Sequence, residues 1–197
     1  MGTAIVMAAV CLVEAGWMVW GSRVGKLRLR DRVLDALALR GGEAVLDVGC
    51  GRGLLLVGAA RRLPSGRAVG VDLWQAKDLS GNAAERTLAN ARAEGVADRV
   101  EVHTGDMRMM PFADASFNAA VSNLAIHNIS GAEGRAAAVA EIARVVKPGG
   151  RVAISDFAGT ALYARTLRRL GWSEVRRSAP SPLIFPPVRI VTARKPG

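Results

Sequence analysis

Three glycines at alternate positions follow a short apolar run in this chain. The run covers residues 44–47 and ends in an acid, the glycines are Gly49, Gly51 and Gly53, and a second apolar stretch covers residues 54–63. This order predicts a strand, a tight turn and the start of a helix. Glycine suits such a turn because a side chain would hold a ligand off the backbone, and because some turn positions need a positive φ. We therefore expect a nucleotide-like ligand to lie against bare backbone at the end of a strand.

The spacing of the glycines distinguishes between ligands. A dinucleotide-binding turn reads G-x-G-x-x-G, but Leu54 and Leu56 stand where the two possible frames need their last glycine. Asp47 precedes the turn, where a carboxylate would repel a pyrophosphate but would suit a cationic amino-acid head group. Asp72 ends the next apolar run and is placed to accept hydrogen bonds from ribose hydroxyls.

The acid, the glycine turn and the ribose acid together resemble the class I S-adenosylmethionine (SAM) dependent methyltransferases. The segments 105–107 and 144–151 resemble their third-strand region and the segment before their fifth strand. The resemblance covers residues 41–156 and is strongest for the quinone and sterol type enzymes, which act on small molecules. It implies an α/β fold with a doubly wound, mostly parallel seven-stranded sheet and helices on both faces. Its last strand, residues 188–193, would be antiparallel to the others.

The resemblance also implies SAM as cofactor, S-adenosylhomocysteine as product, and a set of cofactor-binding residues. Asp72 and Leu73 would contact the ribose and the adenine, Asp106 and Met107 would bind the adenine edge, and Asn123 would lie near the sulfonium. The acid before the turn and the three glycines would hold the methionine part. The full set is Asp47, Gly49, Gly51, Gly53, Asp72, Leu73, Asp106, Met107 and Asn123.

One histidine lies where an acceptor would bind. His127 follows the fourth predicted strand, at the carboxyl edge of the sheet, and could act as general base on a hydroxyl or an acidic carbon. A packing or capping role in its loop remains the alternative. Asp156 and Tyr163 are weaker candidates. The chain carries no Cys/His cluster with metal-ligand spacing, so no metal site is predicted.

Apolar side chains near both ends of the chain predict an apolar small-molecule acceptor. Leu183, Ile184 and Phe185 would roof the acceptor pocket together with Trp17 and Trp20. We predict that the acceptor contacts are Trp17, Trp20, Asn128 and Phe185.

The N-terminal segment is apolar from Thr3 to Trp20 apart from Glu14, and a basic stretch follows. As a helix it would cover roughly 27 Å, just short of a bilayer's hydrocarbon core. Three interpretations stay open: contact with a membrane, contact with a second copy in a homo-oligomer, or a lid over the site. We divide the chain into this segment, residues 1–21, and a methyltransferase domain, residues 22–197. The basic flank favours a cytoplasmic protein, with the segment at the inner face of the membrane if it binds there.

The net charge of +10 leaves other functions open. This positive charge is the one feature that favours a protein or nucleic-acid methyltransferase. Against a nucleic-acid acceptor, the chain has few aromatic residues for a base-stacking surface: four Trp, one Tyr and four Phe. A membrane-tethered module that binds SAM without catalysis is a further alternative. The sequence also predicts helix N-caps at Asn82, Ser130 and Thr160.

Overall fold

A single sheet organises the molecule. The computed structural model describes residues 2–75 and 81–197. Its strands are β1 (Ala44–Val48), β2 (Arg67–Asp72), β3 (Val100–Thr104), β4 (Phe117–Asn123), β5 (Val146–Asp156), β6 (Ser173–Arg177) and β7 (Arg189–Arg194). They lie in the order β3-β2-β1-β4-β5-β7-β6. The first five strands pair in parallel, whereas β7 is antiparallel to both of its neighbours. The predicted seven-stranded sheet and its antiparallel strand are confirmed.

Helices cover both faces of the sheet. They are α1 (Gly2–Trp20), α2 (Lys26–Asp35), α3 (Leu54–Ala60), α4 (Ala84–Ala93), α5 (Ala132–Val145) and α6 (Thr160–Arg169), and a π-helical turn, Gly21–Gly25, joins α1 to α2. Buried side chains of α5 and α6 pack with the sheet into one core. Those of α2, α3 and α4 form a second core on the other face. The predicted doubly wound arrangement is therefore confirmed.

The strand β5 begins earlier than its sequence suggests. The pattern Lys147-Pro148-Gly149-Gly150 indicates a turn, yet the structure includes it in β5, where Val146 already pairs with Phe117. The register shifts between Phe117 and Ala119, which accommodates the extra residues. Residues 147–150 have no partner in β4, so the predicted turn persists as a bulge inside β5, and continuous pairing resumes at Arg151.

The three predicted helix caps are wrong. The residues before α4, α5 and α6 are Ala83, Gly131 and Gly159, and within the described chain none of them makes a side-chain cap bond. The side chains of Asn82 and Thr160, which the sequence predicts as caps, form hydrogen bonds with other side chains. Asn82 donates from Nδ2 to Oδ1 of Asp72, over 3.0 Å. Thr160 accepts from Nε of Arg177, over 2.9 Å.

The helix α1 exposes apolar side chains along most of its length. Leu12 is 74% exposed and Val13 70%. Near its C-terminal end, α1 contacts the rest of the protein, because Nε1 of Trp17 donates a hydrogen bond to the carbonyl of Pro182 over 2.7 Å. Of the predicted segment 1–21, Met1 lies outside the described residues. Within the described ranges, no helix combines the length and the apolar character needed to cross a bilayer.

Candidate active site

A cavity of about 760 Å³ opens at the carboxyl edge of the parallel strands. Its walls come from the glycine turn, the ends of β2 and β4, the segment after β3, and the loops 124–130 and 184–186. Ten predicted site residues line it: Gly49, Gly51, Asp72, Leu73, Asp106, Met107, Asn123, His127, Asn128 and Phe185. The structure thus brings together most residues that the sequence assigns to cofactor and acceptor.

The glycine turn brings backbone to the cavity wall. Gly49 has a φ of 73°, and a Cβ there would lie 2.3 Å from the Cβ of Ala125, so only glycine fits. Its N–H donates to the carbonyl of Val71 over 2.8 Å, which ties the turn to the end of β2. Gly53 has a φ of 86° and immediately precedes α3, outside the cavity lining. The turn is therefore held in shape before any ligand binds.

Asp47 lies outside the cavity wall, although the sequence predicts it as a contact of the methionine part. Its side chain is buried, with the residue 2% exposed, and it accepts the backbone N–H of Leu56. Burial raises the pKa of its carboxyl group to about 7, and the nearby charge of Asp72 acts in the same direction. In this position Asp47 connects β1 to the start of α3.

Asp72 is in the cavity wall and is well supplied with donors. Its Oδ2 accepts the N–H of Gly51 over 2.9 Å. Its Oδ1 accepts the N–H of Trp74 over 2.7 Å and Nδ2 of Asn82 over 3.0 Å. A carboxylate accepts about four hydrogen bonds, so one position stays open, and a second opens if Asn82 moves. The arrangement suits a pair of vicinal hydroxyls.

Asp106 is bound to an arginine that the sequence reasoning missed. The Arg108 guanidinium donates from Nε to Oδ1 over 3.0 Å and from Nη2 to Oδ2 over 2.5 Å. These hydrogen bonds hold the pKa of the Asp106 carboxyl group below its usual range. Both residues line the cavity. The sequence did contain a signal for this pair. An arginine two residues after an aspartate in a turn can fold back and bind the aspartate's carboxylate.

Two buried side-chain oxygens without partners indicate whether the cavity lining fits SAM. Oδ1 of Asn82 and Oδ1 of Asn123 are buried without a hydrogen-bond partner among the described residues, and both residues line the cavity. A buried unpaired acceptor is costly unless a ligand supplies a donor. SAM carries such donors: an ammonium, two ribose hydroxyls and an adenine amino group. Together with Asp72 and the glycine turn, these acceptors fit SAM.

His127 is held against a buried acid. Its Nδ1 lies 2.8 Å from Oδ1 of Asp156, close enough for an ion pair but not aligned as a hydrogen bond, and its backbone N–H donates to Oδ2 over 3.1 Å. The hydroxyl of Tyr163 donates to the same Oδ2 over 3.1 Å. Burial raises the pKa of the Asp156 carboxyl group, an effect that the charge of His127 opposes. With Nδ1 beside the acid, Nε2 is the ring nitrogen available to an acceptor.

The acceptor end of the cavity is apolar. Ile129, Phe157 and Ile184 line it together with Phe185, whose ring packs edge-on against Trp17 at a centroid distance of 5.2 Å. Neither Trp17 nor Trp20 lines the cavity, although the sequence predicts both as acceptor contacts. Trp17 supports the wall from behind Phe185. Trp20 instead lies beneath the guanidinium of Arg28, which is 5.7 Å from its ring centroid.

Known proteins resemble this chain in sequence. The 27-O-demethylrifamycin SV methyltransferase of Amycolatopsis mediterranei is 33% identical over 150 residues, which cover 73% of this chain and 52% of that protein. The ubiquinone/menaquinone biosynthesis C-methyltransferase UbiE of Dinoroseobacter shibae is 32% identical over 128 residues, 65% of this chain and 48% of the relative. The chain spans about half the length of these two relatives.

Solved structures share the fold. The [4+2]-cyclase SpnF superposes with a TM-score of 0.71 at 24% identity, covering 86% of this chain and 80% of its own. A geranyl diphosphate methyltransferase in complex with GPP and sinefungin gives 0.67 at 19% identity, covering 85% and 77%. These likenesses support the fold alone.

A family match covers more than half of the chain and contains the glycine turn, Asp72, Asp106 and His127. It extends over residues 46–154 and is described as a methyltransferase domain. The implied cofactor, SAM, is confirmed at the level of this family. Two solved geranyl diphosphate methyltransferases with the same fold are complexes with SAM and with S-adenosylhomocysteine. The chain therefore belongs to the methyltransferase domain family.

Proposed function

We propose that this chain transfers the methyl group of SAM to a hydroxyl of an apolar small molecule. The observation that carries the proposal is His127, placed in the cavity wall with Nδ1 beside the buried Asp156. When bound, SAM supplies an electrophilic methyl group and leaves as S-adenosylhomocysteine. His127 takes the acceptor's proton at Nε2 as the hydroxyl oxygen becomes nucleophilic, and Asp156 stabilises the resulting imidazolium. The apolar walls limit the access of water to the reacting groups.

The apolar lining supports the acceptor class. Phe157 packs against the ring of His127 at a centroid distance of 4.3 Å, so the base faces an apolar pocket. One relative is named as a 27-O-demethylrifamycin SV methyltransferase and another as a C-methyltransferase of ubiquinone/menaquinone biosynthesis, and both names refer to small molecules. A protein or nucleic-acid acceptor would need an open, polar mouth, whereas Ile184, Phe185 and Pro186 border this one.

We also propose that residues 3–20 contact the inner face of a cytoplasmic membrane. The support is the exposed apolar surface of α1, which includes Val6, Met7, Val10, Leu12 and Val13. Exposed patches of this kind mark interaction sites, and exposed basic residues such as Arg23 follow the helix. Contact with a second copy in a homo-oligomer is the competing proposal, since it would cover the same surface.

The acceptor proposal is tested with labelled cofactor. The purified protein is incubated with methyl-labelled SAM and with separated lipid, protein and nucleic-acid fractions of a cell extract. We expect label in an organic-soluble small molecule, and mass spectrometry then shows one added methylene. Label in the protein or nucleic-acid fraction, or in none, contradicts the proposal. His127→Gln serves as the matched variant, because background methylation would survive it.

A further inference from the structure

The hydroxyl of Tyr163 lies behind the pair of His127 and Asp156. The residue is fully buried and does not line the cavity, so its hydroxyl does not reach an acceptor. That hydroxyl donates to Oδ2 of Asp156 over 3.1 Å. The sequence analysis names Tyr163 as a weaker catalytic candidate. In the structure, any effect of its hydroxyl on the reaction must pass through Asp156.

The end of β5 and the start of α6 bring the hydroxyl to the carboxylate. Asp156 is the last residue of β5, and Gly159 immediately precedes α6. Gly159 has a φ of 76°, and a Cβ there would lie 2.6 Å from the hydroxyl oxygen of Tyr163. Both the backbone conformation and the space for the hydroxyl therefore require glycine. The backbone N–H of Tyr163 donates to the carbonyl of Gly159 over 3.1 Å, which fixes the turn.

Hydrogen-bond donors surround the carboxylate of Asp156, which is 1% exposed. Its Oδ1 accepts the backbone N–H of Phe157 over 2.8 Å and lies 2.8 Å from Nδ1 of His127. Its Oδ2 accepts the backbone N–H of His127 and the hydroxyl of Tyr163, each over 3.1 Å. Donors of this kind favour the charged form of the carboxyl group, because a carboxylate only accepts. Tyr163 is the donor that α6 contributes.

Burial opposes the charged form. It raises the pKa of the Asp156 carboxyl group, whereas the charge of His127, the backbone N–H groups and the hydroxyl of Tyr163 lower that pKa. Burial and the charge of Asp156 also raise the pKa of the Tyr163 hydroxyl, and the charge of Arg135 on α5 acts in the opposite direction. The hydroxyl therefore stays protonated at neutral pH and remains a donor to Asp156.

We propose that Tyr163 is a positioning residue that keeps Asp156 charged and thereby leaves Nε2 of His127 free to take the acceptor's proton. A charged Asp156 can only accept, so it holds the proton of the neutral imidazole at Nδ1. A protonated Asp156 would instead donate to Nδ1, and the imidazole proton would then occupy Nε2. The proposal rests on His127 being the base of the proposed function.

The first test follows Asp156 without an acceptor. Tyr163→Phe removes the hydroxyl and keeps the ring, and NMR of protein labelled at its aspartate carboxyl carbons gives the titration, with Asp156→Asn to identify the signal. The pKa of Asp156 should rise by about one pH unit, as expected for the loss of one hydrogen bond to a charged group. The control Thr166→Val removes another buried hydroxyl of α6, which has no hydrogen-bond partner among the described residues. It should leave the titration unchanged.

A second substitution changes the donor in the opposite direction. Tyr163 is the sole tyrosine of the chain, so fluorotyrosine supplied during expression replaces this ring alone. Its more acidic hydroxyl is a stronger donor, and the pKa of Asp156 should therefore fall. Thermal unfolding confirms that each protein is folded. Opposite changes with Phe and with fluorotyrosine would separate hydrogen bonding from altered packing.

Kinetics test the effect on the base. In Tyr163→Phe, the acid limb of the kcat profile should move to higher pH by about one unit, because a carboxylate without this donor keeps its proton to higher pH. The KM for the acceptor should stay at the wild-type value. In the Asp156→Asn background, Tyr163→Phe should produce no further movement of the acid limb, since the two residues act as one unit.

Two outcomes would overturn the proposal. An unchanged titration of Asp156 in Tyr163→Phe would leave Tyr163 as a packing residue. A movement of the acid limb that persists in the Asp156→Asn background would show that Tyr163 acts without Asp156. If the titration moves as expected but the wild type methylates no acceptor, the proposed function is contradicted, while the action of Tyr163 on Asp156 is supported.

Discussion

His127 and Asp156 come from different parts of the chain and meet at the cavity wall. His127 lies in a short 3₁₀ turn after β4, and Asp156 ends β5. Parallel neighbours place both strand ends at one edge, which is why the two meet. His127→Gln should lower turnover about 10²–10⁴-fold, the usual contribution of a general base, and should leave affinity for S-adenosylhomocysteine unchanged. Steady-state kinetics and calorimetry measure the two effects.

His103→Gln is the matched control for that experiment. His103 lies on β3 with its Nε2 2.6 Å from Oε1 of Glu101, outside the cavity lining. The variant His103→Gln should therefore keep the turnover of the wild-type protein. Wild-type turnover in His127→Gln would instead return His127 to a packing role in its loop.

Asp72 should determine cofactor affinity. Asp72→Ala removes the acceptor of two backbone N–H groups and the open position for a ribose hydroxyl. Affinity for S-adenosylhomocysteine should fall about tenfold or more, since hydrogen bonds to charged groups contribute about 1.5–3 kcal/mol. Calorimetry measures the loss, with the exposed Asp98→Ala as control. Unchanged affinity would remove Asp72 from the site.

Asp47 should make stability depend on pH. Its pKa in the folded protein is about 7, above the ordinary value of 3.8, because burial disfavours the charged form. Its contribution to stability is therefore fully present below pH 3.8 and is lost as pH rises to about 7. Asp156, whose pKa is also raised, acts in the same direction, so a variant is needed to separate them.

Asp47→Asn isolates this effect, because an amide keeps an acceptor for Leu56 but does not titrate. Urea unfolding at pH 5 and pH 8 gives the free energy of unfolding of both proteins. The wild type should lose more of it between these pH values than Asp47→Asn does. If the free energy of unfolding falls equally in the two proteins between pH 5 and pH 8, the raised pKa of Asp47 is contradicted.

At the scale of elements, α1 is the part whose role the fold leaves open. Its apolar side chains are exposed, and the domain core closes without them. Deleting residues 1–20 should abolish co-sedimentation with anionic lipid vesicles, because the apolar surface is gone. Affinity for S-adenosylhomocysteine should persist, since the cavity lining begins at Lys26.

The full-length protein with neutral vesicles is the control for charge. Analytical ultracentrifugation without lipid tests the competing proposal. If the full-length protein forms a defined oligomer and does not bind vesicles, α1 mediates contact between copies of the chain. A monomer that binds no vesicles would leave α1 as a lid, and the deletion should then raise the KM for the acceptor.

At the scale of the molecule, the sequence predicted what local patterns determine. The apolar runs located the strands, and the glycine turn located the cavity, because both signals lie within a few residues. The Asn82 bond to Asp72 was missed, since its partner comes from a different element. The sequence placed Trp17 and Phe185 in one roof, but it did not predict that Trp17 packs on Phe185 outside the cavity lining. Long-range packing decides such contacts.

The fold does not by itself determine the reaction, since a [4+2]-cyclase shares it at 24% identity. Ligand-dependent stability gives a test of the whole domain. A ligand that binds only the folded state at about 100 times its Kd stabilises it by about 2.7 kcal/mol. For a domain of this size that corresponds to a rise in Tm of about 5–11 °C. S-adenosylhomocysteine should give this rise in a thermal scan, and NAD should give none, because the glycine turn lacks the dinucleotide spacing. An equal rise with NAD would contradict SAM as the ligand of this cavity.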